Sequence, residues 1–192
     1  MGITGSFGSG KSTVAGIFKS FGAKIVDADS ISHKITRPGT PAYKKIVRLF
    51  GRGILRKNGA IDRKKLAGVV FNNPGALSSL TRIIHPEVVR SIRREIRASA
   101  QNFIVLDVPL LIEAGLENAV DKLIVVSSSQ KKQIERVRRK TGLKRLDVLK
   151  RIAAQIPLRE KVRLADFVID NDGSMNKTRK QVAEIRRRLW RS

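Results

Sequence analysis

The chain contains no cysteine, which excludes disulfides and thiolate metal sites and permits a reducing compartment. Aromatic residues make up only 5% of it, and no stacking platform or base-reading motif for nucleic acid is visible along the sequence. No uninterrupted apolar stretch is long enough to cross a bilayer. The opening Met1-Gly2-Ile3-Thr4-Gly5 turns glycine-rich at once, without the apolar run of an export signal. No membrane partner and a cytoplasmic location are therefore expected. Acidic residues are scarce: 16 Asp and Glu face 40 Lys and Arg, a formal net charge of +24. Such a surplus draws phosphate-bearing partners without choosing between a nucleotide and a nucleic acid, and a general adaptation for solubility is the competing account.

What is present points to an α/β protein. A chain of 192 residues with 41% hydrophobic content suits one compact α/β domain with insertions. Five short apolar, often β-branched segments read as buried parallel strands: Gly2-Ile3-Thr4, Lys24-Ile25-Val26, Phe103 to Leu106, Leu123 to Val126, and Phe167-Val168-Ile169. Helical stretches between them imply right-handed crossovers and a five-stranded parallel sheet covered by helices. The core is expected to take residues 1–30, 101–128 and 162–192. Residues 31–100 read as a helical insertion, punctuated at Arg37-Pro38-Gly39 and Asn72-Asn73-Pro74-Gly75. Residues 129–161, dense in Arg and Lys and poor in large apolar side chains, read as a mobile flap over phosphates. The last helix, roughly Met175 to Trp190, places Val182, Ile185 and Leu189 on one face, to pack on the sheet.

Gly5-Ser6-Phe7-Gly8-Ser9-Gly10-Lys11-Ser12 matches G-x-x-x-x-G-K-[ST] between a strand and a helix starting near Lys11, the context this phosphate-binding loop requires. Glycines let backbone N–H groups wrap a phosphate chain, and the helix N-terminus adds partial positive charge. In this reading Gly8, Ser9 and Gly10 supply the cradle and Lys11 reaches the β- and γ-phosphates of ATP. Ser12 ligates the accompanying Mg²⁺, and Thr13 meets the α-phosphate.

Asp27-Ala28-Asp29 follows the second strand at the carboxyl edge of the sheet, where α/β ligands bind. Alternation along an extended segment is expected to point both carboxylates the same way, and either could orient and deprotonate an attacking hydroxyl. For Asp27, capping the next helix is an equal alternative. Asp107 ends the third strand and is a candidate water-mediated metal ligand. Glu113, placed on a helix after Pro109-Leu110-Leu111, is either a second polar contact or surface. Within the flap, Arg136 and Lys140 share a helix face, and a guanidinium there could neutralise a transferring phosphoryl. His85, before Pro86, is assigned to the structure of the insertion, since nothing near it in sequence resembles a metal cluster.

The sequence resembles dephospho-coenzyme A kinases from the first strand to about Asn171. The resemblance rests on Thr4-Gly5…Gly8-Ser9-Gly10-Lys11-Ser12-Thr13, Asp27-Ala28-Asp29-Ser30-Ile31, Arg37-Pro38-Gly39, Phe50-Gly51, Asn58-Gly59-Ala60-Ile61-Asp62-Arg63, His85-Pro86, Asp107-Val108-Pro109-Leu110-Leu111-Ile112-Glu113 and Arg151-Ile152-Ala153-Ala154-Gln155. It implies a P-loop NTPase core, a helical domain for the coenzyme A precursor, and a lid. The implied reaction moves the γ-phosphate of ATP to the ribose 3′-hydroxyl of dephospho-coenzyme A. By position Asp29 matches the family's general base, Lys11 its loop lysine and Arg136 a lid arginine. Ser6 stands where the family usually has glycine, His33 where it has arginine, and Lys140 where a lid arginine is common. Another nucleoside or nucleotide kinase and a nucleic-acid-binding P-loop protein are the alternative functions, and a monomer is expected.

Overall fold

The structure, a computed structural model, describes every residue except 72, 114 and 190–192. Asn72 in the expected turn and Trp190 at the expected helix end therefore lie outside the described residues. The chain divides into two compact units, Met1–Asp27 with Ala100–Ser192, and Ala28–Ser99.

The first unit is built on five parallel strands, β1 (Gly2–Gly5), β2 (Lys24–Asp27), β3 (Ile104–Asp107), β4 (Leu123–Ser127) and β5 (Phe167–Asp170), in the order β2-β3-β1-β4-β5. All five expected strands are present. The near-continuous apolar sequences of β1, β3 and β4 follow from burial on both faces, while the edge strands β2 and β5 are partly exposed. Central β1, only four residues long, is paired on both sides: Ile3 lies opposite Ile124 on β4 and Asp107 on β3. Helices α1 (Lys11–Ser20) and α9 (Met175–Leu189) cover the sheet. Ile3, Val14, Phe18, Val105, Ile124, Val126, Ile169, Val182 and Ile185 form the core between them, with Leu189 packed at its margin.

Three further helices of this unit are α6 (Gln130–Thr141), α7 (Arg145–Ala153) and α8 (Leu158–Leu164). Contrary to the expected core-less flap, α6 and α7 have a small core of their own. Ile134, Val137 and Val148 are buried there, with Phe7, Leu143, Leu149 and Ile152 against them. The apolar residues are few, but helical spacing gathers them on facing sides while most of the basic residues point out. The segment after Asp107 is a run of turns, not the expected helix. Glu113 on it accepts the Ile156 N–H at 3.2 Å and pairs with Lys161 of α8 at 2.5 Å. Its role is structural support.

The second unit consists of α2 (Ala28–Ile35), α3 (Pro41–Phe50), α4 (Arg63–Phe71) and α5 (Pro74–Arg97). Thr40 caps α3 by accepting the Tyr43 N–H, and Asn73 caps α5 through Ala76 N–H, each with proline next in sequence. Ile46, Ile54, Leu66 and Val70 form its core. His85 and Pro86 both fall inside α5, and His85 Nε2 is buried without a hydrogen-bond partner among the described residues. Among the described residues no helix is long and apolar enough to cross a membrane.

The Lys161–Glu113 pair has unequal partners, Lys161 wholly buried and the Glu113 side chain 18% exposed. Removing the carboxylate strands a buried ammonium, so Glu113→Ala is expected to lower the unfolding free energy by about 3–5 kcal/mol in urea titrations. Lys161→Met should cost clearly less, because the carboxylate that remains keeps the Ile156 N–H and belongs to a side chain that is not fully buried. Equal losses for the two variants would contradict this account of the pair.

Candidate active site

The phosphate loop joins β1 to α1 at the carboxyl edge of the sheet, and its three glycines are sterically required: a Cβ on Gly5 would lie 2.6 Å from the Val126 carbonyl oxygen. Gly8 and Gly10 have φ of 82° and 87°, in the left-handed region. A Cβ on Gly10 would collide with Asn171 Nδ2, and one on Gly8 would lie 2.7 Å from Val137 Cγ2. Ser6 needs no such freedom, since no described residue other than glycine has positive φ. The conformational freedom of glycine is therefore not required at that position of this chain. Gly10 is also the N-cap of α1 and offers no side-chain cap, which leaves first-turn amides of the helix to a ligand's oxygens.

Contacts from distant segments hold this backbone. The Ser9 carbonyl accepts from Asn171 Nδ2 at 2.8 Å and from Arg136 Nη1 at 3.3 Å. Arg136 also donates to Ser128 Oγ at 3.1 Å and to the Asn171 carbonyl at 2.6 Å. Asn171 is buried, and its Oδ1 accepts from Thr178 Oγ1 at 3.0 Å, which fixes the direction of the amide. On the other flank the Phe7 N–H donates to Gln155 Oε1 at 2.8 Å, and the Phe7 ring packs into the α6–α7 core beneath the Arg151 guanidinium, 5.3 Å from its centroid. Arg136 is thus tied to the loop itself.

Lys11 Nζ donates to Asp107 Oδ1, an ion pair in which both side chains are 14% exposed. Asp27 lies opposite Asp107 in the β2–β3 register. This corrects the expectation for Asp27-Ala28-Asp29: the extended backbone stops at Asp27, and Asp29 occupies the first turn of α2. The two carboxylates belong to different elements and do not follow strand alternation. Gly8 to Thr13, Asp107 and Arg136 come together in the first unit, and Asp29 belongs to the second. There Arg63 donates to Thr36 Oγ1 at 3.0 Å. Burial holds its guanidinium below the ordinary pKa, and the Asp29 charge acts in the opposite sense.

Asp172 ties the segment after β5 to the start of α6. It accepts from Ser128 Oγ at 2.6 Å and from Ser129 N–H at 2.8 Å, while Ser129 itself caps α6. The Ser128 hydrogen bond, then the Ser129 bonds and the Arg136 charge, hold its carboxyl below the usual range. Sequence reasoning assigns no role to Asn171, Gln155, Asp172 or Arg63. Gln155 and Arg63 lie within resembling runs, but neither carries a local signal of what it touches.

A glycine cradle, its lysine and a strand-ending aspartate at the carboxyl edge of a parallel sheet define a nucleotide-binding protein of the P-loop class. The sequence profile of the dephospho-CoA kinase family matches residues 1–177. A dephospho-CoA kinase of Carboxydothermus hydrogenoformans is 46% identical over 188 residues, covering 96% of this chain and 91% of its own length. The chain belongs to the dephospho-CoA kinase family. Among solved structures, TT1252 from Thermus thermophilus superposes with a TM-score of 0.91 at 32% identity, covering 100% of this chain and 97% of its own. A dephospho-CoA kinase from Campylobacter jejuni does so at 0.69 and 31%, covering 98% and 95%.

Gly10→Ala is expected to abolish detectable nucleotide binding in calorimetry, because both the φ and the Asn171 contact forbid the methyl group. Asp172 supplies a pH test. Its lowered folded pKa contributes stability that is present above the unfolded carboxyl value of about 3.9 and is lost as pH falls through the folded value. The stability difference between the natural chain and Asp172→Asn should therefore be largest near neutrality and shrink below about pH 4, as read from denaturation midpoints. A constant difference would show that ionisation of Asp172 contributes nothing.

Proposed function

We propose that the protein transfers the γ-phosphoryl group of ATP to the ribose 3′-hydroxyl of dephospho-coenzyme A, giving coenzyme A and ADP in the final step of coenzyme A biosynthesis. The observation that carries this reading is the braced loop from Gly8 to Ser12 with Lys11 anchored by Asp107. It stands in a chain of this family. The amides of the loop and of the first turn of α1 bind the phosphate chain. Lys11 supplies positive charge at the β- and γ-phosphates, where negative charge redistributes during transfer. Arg136 adds a fixed guanidinium beside Ser9, and Thr13 completes the α-phosphate contact.

Asp29 is assigned the proton of the attacking hydroxyl. The acceptor oxygen forms the new P–O bond, the bond to the β-phosphate oxygen breaks, and the proton passes to the carboxylate. The acceptor is assigned to the helical unit that carries Asp29.

Among the described residues no group of three or more His, Cys, Asp or Glu gathers to hold a metal by protein ligands alone. The loop offers one hydroxyl, Ser12, and one carboxylate, Asp107, hard oxygen donors suited to an Mg²⁺ whose other ligands are phosphate oxygens and water. Ser12 and Asp107 would hold such an ion, which would supply positive charge to offset the negative charge of the phosphate oxygens.

The test is ADP release from ATP and Mg²⁺ with and without dephospho-coenzyme A, with mass spectrometry of the acceptor. Acceptor-dependent ADP and one added phosphoryl group at the 3′-oxygen are expected. ATP binding with turnover only on a different hydroxyl acceptor would replace the assigned substrate. Asp29→Asn should lower kcat by on the order of 10²–10⁴ and leave ATP affinity unchanged. Retention of most of the rate would remove Asp29 as the base.

A further inference from the structure

One nucleotide and one acceptor require a local set of cations, yet 40 Lys and Arg face 16 Asp and Glu. Part of that surplus is ordered at the end of the first unit remote from the phosphate loop. α1 leaves the loop at Lys11 and runs ten residues, about 15 Å at the helical rise, before ending at Phe21. Phe21 therefore stands at the amino edge of the sheet, where Lys24 opens β2. α9 packs along α1 and sets two guanidiniums against the Phe21 ring: Arg179 at 4.9 Å and Arg186 at 5.4 Å from its centroid. Lys19, Lys24 and Arg179 are exposed, and among the described residues none of the three enters an ion pair.

We propose that this face binds single-stranded polynucleotide without regard to sequence. Arg179, exposed and 4.9 Å from the Phe21 centroid, offers a guanidinium on which a nucleobase can stack, and the exposed Lys19 and Lys24 beside it meet the phosphates. The combination of a stacking surface with point charges is what single strands require and a duplex backbone does not. It fits a lipid headgroup layer poorly, because the two guanidiniums cover the aromatic ring that would have to insert. No catalytic group is involved, so the proposal stands apart from phosphoryl transfer.

The test uses the full chain and a fluorescently labelled oligo-uridine and oligo-deoxythymidine of about 20 nucleotides, long enough for one site, read by anisotropy across a salt series. For three to four phosphates the slope of log K against log salt is expected near −2 to −3, about −0.7 per phosphate on a single strand. Affinity for the two oligonucleotides should agree within about threefold, since base stacking and phosphate contact are common to both. Arg179→Gln with Arg186→Gln should weaken binding roughly tenfold or more, the loss of one stacked base, with thermal midpoint and phosphoryl transfer unchanged. Arg93→Gln with Arg97→Gln removes the same charge from α5 and should leave affinity nearly unchanged. Equal weakening by both pairs would reduce the effect to bulk charge and overturn the site. Absence of oligonucleotide binding at low salt would also overturn it, as would binding only to phosphatidylserine vesicles.

Discussion

The phosphate loop depends on the direction of one peptide group. Backbone amides bind a phosphate chain only if the intervening carbonyls are kept out of the cradle, and the glycines of the loop have no side chains with which to enforce that. Here Asn171 and Arg136 converge on the Ser9 carbonyl, and Thr178 fixes the Asn171 amide that does so. The same asparagine occupies the space a side chain at Gly10 would need. Loop flexibility, which lets the chain adopt left-handed torsions at Gly8 and Gly10, is thus offset by a buried polar network from β5, α6 and α9. Such a network adds rigidity because each member is satisfied by another.

The second constraint is the scarcity of carboxylates. With so few acidic groups, several are each committed to holding a particular structural contact. Asp107 holds Lys11, Glu113 holds Lys161, Asp172 holds the start of α6, and Asp166 holds Lys122 with the neighbouring Leu123 amide. On the exposed side of α9, Glu184 serves both Arg187 and Arg188, whose hydrogen bonds lower its pKa to about 2. Among the described residues most of the uncompensated cations lie on helices, where water carries the cost of their charge. The small core of α6 and α7 shows the same economy. A few apolar residues on facing sides, with Phe7 lent by the phosphate loop, let a strongly basic segment pack beside the site.

Strands, the phosphate loop and the family are legible because each is written in contiguous residues: β-branched runs, a fixed glycine spacing, short motifs such as His85-Pro86. The setting of Asp29 differs from the expectation, since an Asp-x-Asp spacing after a strand looks the same whether the backbone stays extended or turns helical at Ala28, as it does. Local sequence leaves Glu113 open between contact and surface, because its partner Lys161 is 48 residues away and nothing local marks a buried lysine. Phe21 is silent for the same reason: an aromatic after a helix acquires meaning only when α9 brings Arg179 and Arg186 to it.

By itself, then, the sequence determined the parallel-strand pattern, the cradle with Lys11 and Ser12, and membership in a kinase family. These follow from local backbone preference and from chemistry that needs neighbouring residues. Tertiary structure alone decided what braces the cradle, which carboxylate anchors Lys11, and where an aromatic meets surplus charge. Those contacts join residues far apart in the chain, such as Asn171 with Ser9 (162 apart) and Asp107 with Lys11 (96 apart). Their geometry is set by the order in which strands pair in the sheet, which no local pattern encodes.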